Sequence, residues 1–258
     1  KDPANLDEDP LAFKTDNVTA HVDFKERFGE FTSNAGTSVV EFPVNKYICK
    51  IDKFTWLMDS DDVEMSKAEN PEQDDISIEA AINTIEPNFY SIHPKQDSLQ
   101  FLAPKARFNL KEKAIYCKDI TFIEVADARI APDSGKVTIR RNAKMETLNN
   151  SLIVANYITQ YHRIEKATTN IFARRSYESK GEYPYFDSDS NRYTIFFPAI
   201  SLDTSFQTVA KGKISISDSF RLGPQFDFYG DVALKAAEPH LTFKGATRIN
   251  HDCERFER

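Results

Sequence analysis

No part of this 258-residue chain is apolar over the roughly 20 residues that a membrane-crossing helix needs. The richest runs, 151–158 and 193–202, have the length of strands. The chain therefore reads as soluble, with no transmembrane segment. Basic residues show no excess: 33 Lys and Arg face 40 Asp and Glu, the net charge is −7, and the cations are scattered rather than gathered into a stripe. A phosphate backbone would find no continuous footprint, which excludes nucleic acid as the expected partner. The three cysteines, Cys49, Cys117 and Cys253, are far apart and form no C-x-x-C pair. Local zinc and redox chemistry are thereby excluded, and Cys49 and Cys117, each inside a strand-like run, read as small buried apolar side chains rather than as a disulfide. Glycine is scarce too. Eight in 258 is about half the usual fraction, which argues against a tightly coiled parallel β-helix, whose corners often need positive φ. The chain begins at Lys1 without Met and without a charged leader followed by an apolar core, so it reads as a mature or excised piece.

What the sequence does contain is alternation. Phe226, Phe228, Val232 and Leu234 fall on one face while Asp227, Asp231 and Lys235 fall on the other. Val18, Ala20, Val22 and Phe24 alternate with Thr19, His21, Asp23 and Lys25, and Ile214 and Ile216 alternate with Lys213, Ser215 and Ser217. A period of two marks half-buried strands. Polar turn residues separate them at 132–135, at Asn149-Asn150 and at 187–191. A strand, charged turn, strand unit recurs at 20–31, 106–117 and 128–139, the last two starting 22 residues apart, as expected of hairpins stacked along an axis. Twenty Phe residues supply a thick aromatic core. The expected fold is all-β, an antiparallel β-roll or jelly roll of stacked hairpin repeats, with a β-sandwich as the alternative. The organisation reads as N-terminal hairpin repeats over 1–65, an acidic loop over 66–85 with either a short helix or another strand at 76–85, and a main β-roll region over 86–258. One continuous domain over 1–258 fits the same pattern. At this length the chain can bury roughly three quarters of its unfolded surface without metals or disulfides.

Catalytic patterns are missing. There is no G-x-S-x-G elbow, P-loop or G-x-G-x-x-G turn. The five histidines, His21, His93, His162, His240 and His251, never pair at zinc-ligand spacing and read as strand-face or turn residues. Asp187-x-Asp189-x-Asn191 opens like a calcium loop, but Arg192 stands where glycine is needed and Pro198 where a bidentate Glu is needed. It reads as a polar hairpin loop, and the carboxylates Asp59, Asp61, Asp62 and Glu64 read as a solvated cluster. The forty acidic residues single out no glycosidase pair. The expectation is a non-enzyme with no catalytic residues, no metal and no cofactor. The sequons Asn17-Val18-Thr19 and Asn149-Asn150-Ser151 are expected to be exposed.

The segment 128–143, followed by Leu152-Ile153-Val154-Ala155-Asn156, resembles a repeat of the OstA/LptA family: an alanine-led strand, a turn with glycine, a second strand, then a strand ending in Ala-Asn. Residues 212–216, 228–234 and 241–245 echo it, and about half of the chain aligns in this way. Two departures stand out: Asn142-Ala143 replaces the family's Gly-Asn-Val order, and the Tyr-rich segment 174–202 has no counterpart. The resemblance implies a β-roll open along one side whose apolar interior takes lipopolysaccharide acyl chains, in the periplasm or elsewhere in the cell envelope of an exported protein. On that reading Val137, Ile139, Phe226, Phe228, Val232 and Leu234 are candidate groove residues, although a sealed core would use the same pattern. The partners would be lipid or glycolipid, and other envelope proteins joined by edge-strand pairing. The alternative is a carbohydrate- or protein-binding β-sandwich that offers Tyr183, Tyr185, Phe186 and Trp56 as a flat platform.

Overall fold

The structure is a computed structural model that describes residues 11–34, 38–66 and 86–249. It is all-β, built from antiparallel sheets, one of them curled like a half barrel, with no helix of seven or more residues among the described residues. The expected helix or strand at 76–85 and most of the acidic loop lie outside those residues. The chain divides into two compact units. The first comprises residues 1–124, 131–147 and 171–175, and the second 125–130, 148–170 and 176–258.

The first unit faces two sheets against each other. One has the order β1 (Lys14–Thr15), β4 (Ser38–Phe42), β5 (Tyr47–Ile51), β8 (Phe89–Ser91), β9 (Gln100–Phe101). The other has the order β14 (Val137–Ile139), β11 (Ala114–Lys118), β10 (Lys105–Asn109), β7 (Asp62–Ser66), β6 (Lys53–Leu57), β3 (Phe28–Ser33), β2 (Val18–Asp23). The register explains why both inner faces are apolar. One inner row of the seven-stranded sheet runs Phe31, Phe54, Met65, Ala106, Cys117, Val137, and the next runs Trp56, Val63, Phe108, Ile115, Ile139. The row between them, Thr55, Glu64, Arg107, Tyr116, Thr138, is half-buried to exposed, and the row flanking the first, Thr32, Lys53, Ser66, Lys105, Lys118, is exposed throughout. Alternation along each strand thus becomes continuous apolar and polar bands across the sheet. Phe42 meets Phe108 across the sandwich at 4.9 Å between ring centroids. Buried Asn45 donates through Nδ2 to the carbonyls of Lys113 and Ile139 at 2.9 and 3.2 Å, fixing one sheet against the other.

Four hairpins of this unit share one loop design. The residue pairs Asp23–Phe28, Phe42–Tyr47, Leu57–Asp62 and Asn109–Ala114 each close a four-residue loop. Its last residue is left-handed in every case: Arg27, Lys46, Asp61 and Lys113, with φ between 50° and 56°. In two of the loops the residue before the turn caps it. The Asp23 carboxylate accepts the Lys25 and Glu26 amides, and the Asn109 side-chain carbonyl accepts those of Lys111 and Glu112. Positive φ is therefore supplied by charged residues rather than by glycine, at a cost that non-glycine side chains carry in this region.

The second unit is built on a ten-stranded sheet with the order β12 (Ile123–Val125), β13 (Ala128–Ala131), β15 (Leu148–Ala155), β16 (His162–Ala173), β17 (Ser176–Phe186), β18 (Arg192–Leu202), β19 (Thr208–Ile214), β21 (Phe226–Lys235), β20 (Arg221–Gly223). The last strand, β22 (Thr242–Ile249), pairs with β21. Buried polar groups tie its strands. The Asp127 carboxylate accepts the Thr208 amide and hydroxyl at 3.0 and 2.6 Å, and the hydroxyls of Ser151, Thr169 and Ser179 form a chain across β15, β16 and β17.

Several local expectations are corrected. The repeats at 20–31 and 106–117 are hairpins, but 128–139 is not: β13 joins the ten-stranded sheet and β14 the seven-stranded one. Asn149-Asn150 is no turn. Both residues lie within β15, where the pairing with β16 shifts register, and Asn150 has φ 54°. Ser151 of that sequon is fully buried and bonded to the Ala167 carbonyl, because the bulge reverses the local facing. The strand β2 forms, but the expected buried face does not: Ala20 and Val22 are exposed like Thr19 and His21, and Phe24 falls in the turn after it, since β2 is the sheet's outermost strand. Ile216 is exposed because it falls in a one-turn 3₁₀ segment after β19.

Candidate functional site

The pairing of β19, β21 and β22 puts Phe226, Phe228, Gly230, Val232 and Leu234 on one face. Burial along this column is graded: Leu234 and Val232 are 1% exposed, Phe228 is 4% and Phe226 is 45%. At the closed end Leu234 stands opposite buried Ala210. At the open end Phe226 stands opposite Ile249 of β22, itself 61% exposed. The outcome is an apolar track that starts in the core and reaches solvent at one end of the sheet. Aromatic rings line its middle. Phe220 lies 5.1 Å from Tyr185, 5.4 Å from Tyr193 and 5.9 Å from Phe243, and Phe228 meets Phe243 edge to face at 5.3 Å. Such pairings hold a shape that a disordered aliphatic cluster would not.

Of the six groove candidates, four share this column and two do not. Val137 and Ile139 end the two inner rows of the first unit's seven-stranded sheet, where both are buried. Phe220, Phe243 and Ile249 also belong to the track and were not singled out by sequence. The alternation Phe243, Gly245, Thr247, Ile249 was available in the sequence, but Phe220 precedes a three-residue strand that no pattern marks. Among the proposed platform aromatics, Tyr183 and Tyr185 are committed internally. The Tyr183 hydroxyl is 3.1 Å from His162 Nδ1, and the Tyr185 hydroxyl donates to the Leu222 carbonyl at 2.9 Å. Trp56 is half-buried in the first unit, and Phe186 alone of the four is exposed.

The polar clusters are internally satisfied. Asp59 pairs with Arg27, Asp61 with Lys111 at 2.5 Å, and Asp62 takes both carboxylate bonds from Arg107 and another from Asn109. Burial works to raise the Asp62 carboxyl, but the bonds from Asn109, Arg107 and Ser60 outweigh it and hold the group below the ordinary carboxylate range. Asp187 accepts the amides of Asp189 and Asn191 and the Asn191 side chain, so its oxygens close the hairpin loop, and the Asn191 bond leads in keeping its carboxyl low. No group of three His, Cys, Asp or Glu among the described residues could hold a metal ion. Cys49 and Cys117 are buried free thiols, and burial pushes both far above the ordinary thiol range. His162 departs from the expected strand face or turn: its side chain is fully buried, with Nε2 2.6 Å from the Glu238 carbonyl. Set against family models, curated proteins and solved structures, the chain matches none of them.

Proposed function

We propose that this chain is a non-catalytic β-roll protein of the cell envelope, periplasmic or exported, that binds or scaffolds lipid or glycolipid. The observation that carries the reading is the graded apolar column of β21, running from Leu234 in the core to the exposed Phe226–Ile249 pair. An acyl chain laid against that pair removes apolar surface from water and continues an existing core, gaining on the order of 25 cal/mol per Å² covered. The likeness of 128–156 to OstA/LptA repeats supports the same class of ligand. Partners of the same kind have an edge to pair with, since β22 has β21 as its one neighbour among the described residues. The platform reading is less well supported, because Tyr183 and Tyr185 spend their hydroxyls and rings inside the unit.

The test is native mass spectrometry of the purified chain before and after mild detergent extraction, followed by titration with lipid A. Retained lipid, or saturable lipid A binding that is weakened in a folded Phe226→Asp variant, is the expected result. Absence of lipid together with lipid A binding indifferent to Phe226→Asp would overturn it.

A further inference from the structure

The opposite face of the same strands carries a different pattern, set by register alone. Asp227 of β21 stands between Arg221 of β20 and Arg248 of β22. Four residues further along β21, Asp231 stands between Lys213 of β19 and Lys244 of β22. Two cation–carboxylate–cation rows thus flank Tyr229, which is 38% exposed and has only Ala246 beside it on β22. Four cations stand against two carboxylates here, in a chain whose net charge is −7. Directly at the first row the face hollows into a depression of about 360 Å³ lined by Arg221, Asp227, Tyr229 and Arg248, with Ile216 and Ser219 at one side and Phe220 and Phe228 of the apolar track beneath. The hollow lies where β19 ends at Ile214 and β20 begins at Arg221, so that on that side Phe228 and Tyr229 of β21 have no paired residue, although the Phe228 amide still donates to the Phe220 carbonyl at 2.9 Å.

We infer that this hollow binds an anionic saccharide, a sugar bearing a phosphate or carboxylate group, with the anion between Arg221 and Arg248 and the sugar ring against Tyr229. Each guanidinium spends one bond on Asp227, Arg221 Nε at 3.2 Å and Arg248 Nη2 at 3.0 Å, one to each carboxylate oxygen. A guanidinium has five N–H donors in a planar fork, so each arginine keeps donors for a second acceptor while Asp227 holds both guanidiniums beside the hollow. Asp187 also acts on Arg221, so around the two rows four cations face three carboxylates, and the single positive charge in excess suits one anionic group. The Tyr229 ring presents a flat apolar face of the kind that takes the C–H side of a sugar, and Ser219 adds a hydroxyl at the rim. The volume lies at the lower end of small-molecule sites, room for one sugar unit rather than a chain buried end to end. Asp227, Tyr229 and Arg248 lie on the face opposite the apolar column while Phe220 and Phe228 of that column also line the hollow, so it is the titration with free anionic sugars that tests this site apart from acyl binding. The sugar can arrive free or as the headgroup of a glycolipid.

The test is a two-dimensional NMR titration of the chain with glucose 1-phosphate and with glucuronate. Glucose and inorganic phosphate serve as partial probes, and lipid A micelles serve as the headgroup arm. Saturable shifts centred on Tyr229, Arg221 and Arg248 are expected for both anionic sugars. Binding should weaken about tenfold in Arg248→Gln and in Tyr229→Ala, for the loss of one charge-assisted or one stacking contact. Arg248 and Tyr229 are surface residues, so both variants should keep the amide spectrum of the folded chain. Lipid A binding that weakens in Phe226→Asp but not in Arg248→Gln would assign the free sugar as the source, and weakening in both would assign the headgroup. Absence of saturable binding by either anionic sugar, equal binding by inorganic phosphate alone, or binding untouched by both substitutions would overturn the inference.

Discussion

His162 Nε2 and the carbonyl oxygen of Glu238 lie 2.6 Å apart, although 76 residues separate them in the chain. The other ring nitrogen faces the Tyr183 hydroxyl at 3.1 Å, so a neutral imidazole accepts from the hydroxyl and donates to the carbonyl. Burial, reinforced by the charge of His240, holds this imidazole below its ordinary value against the opposing effect of the Glu238 and Lys235 carbonyls. A histidine with a depressed folded value contributes stability that is complete above the unfolded value of about 6.5 and is lost as pH falls through it. Hydrogen exchange of the Ala236 amide, which donates to the Thr208 carbonyl beside this turn, should be slow at pH 7.5 and quicken below pH 6.5 beyond the intrinsic pH effect. In His162→Gln that pH dependence should vanish, with about 1–3 kcal/mol lost at neutral pH.

The left-handed loop residues make a second expectation. Lys46 has φ 55° and an exposed side chain, so its replacement by glycine relieves a backbone penalty without removing a contact. Lys46→Gly should stabilise the chain by about 0.5–1 kcal/mol after the glycine's own entropic cost is subtracted. Lys46→Val, with a branched side chain in the same region, should destabilise it. Urea unfolding of the three proteins reads both signs, and a loss of stability in Lys46→Gly would refute the loop assignment.

Gly230 and Gly245 face each other across β21 and β22 with no room between the strands. A Cβ at Gly245 would lie 2.2 Å from the Tyr229 carbonyl oxygen and 2.7 Å from Gly230 Cα, both backbone atoms that cannot swing aside. Gly245→Val should therefore strip β22 from the sheet while leaving the first unit folded. Amide exchange should rise across 242–249 and stay unchanged at Phe108 and Ile115.

Cys49 and Cys117 offer a chemical check on packing. Both thiols are buried and held protonated, so neither forms the thiolate that attacks a disulfide reagent. In a Cys253→Ser background, a chromogenic thiol reagent at pH 8 should find no reactive group in native chain and two after urea is added. Rapid reaction of either cysteine without denaturant would contradict the packing of the two inner sheet faces.

Much of the fold is legible in the amino-acid order, and particular residues show where legibility stops. Alternation at 226–234 determined a strand with an apolar face, and the charged turns at 24–27 and 110–113 determined two hairpins, because a period of two and a turn are properties of adjacent residues. Within the candidate site, the sequence picked out Phe226, Phe228, Val232 and Leu234 as one face. It could not grade them. That Phe226 meets solvent while Leu234 does not depends on where β22 and β20 end, which is a matter of neighbours rather than of the residues themselves.

Tertiary structure decided which strand pairs with which. The segment 128–139 has the local look of a hairpin, yet its two strands pair in different sheets, β14 extending the inner rows through Cys117 and Ile115. A one-residue bulge at Asn149-Asn150 turned Ser151 inward, and nothing local announces a bulge. The rows Arg221–Asp227–Arg248 and Lys213–Asp231–Lys244 likewise exist only once four strands have taken their register. The sequence by itself determined that these would be strands with one apolar and one polar face. Cross-strand pairing, a long-range choice made by burial, decided which charges and rings came to stand side by side.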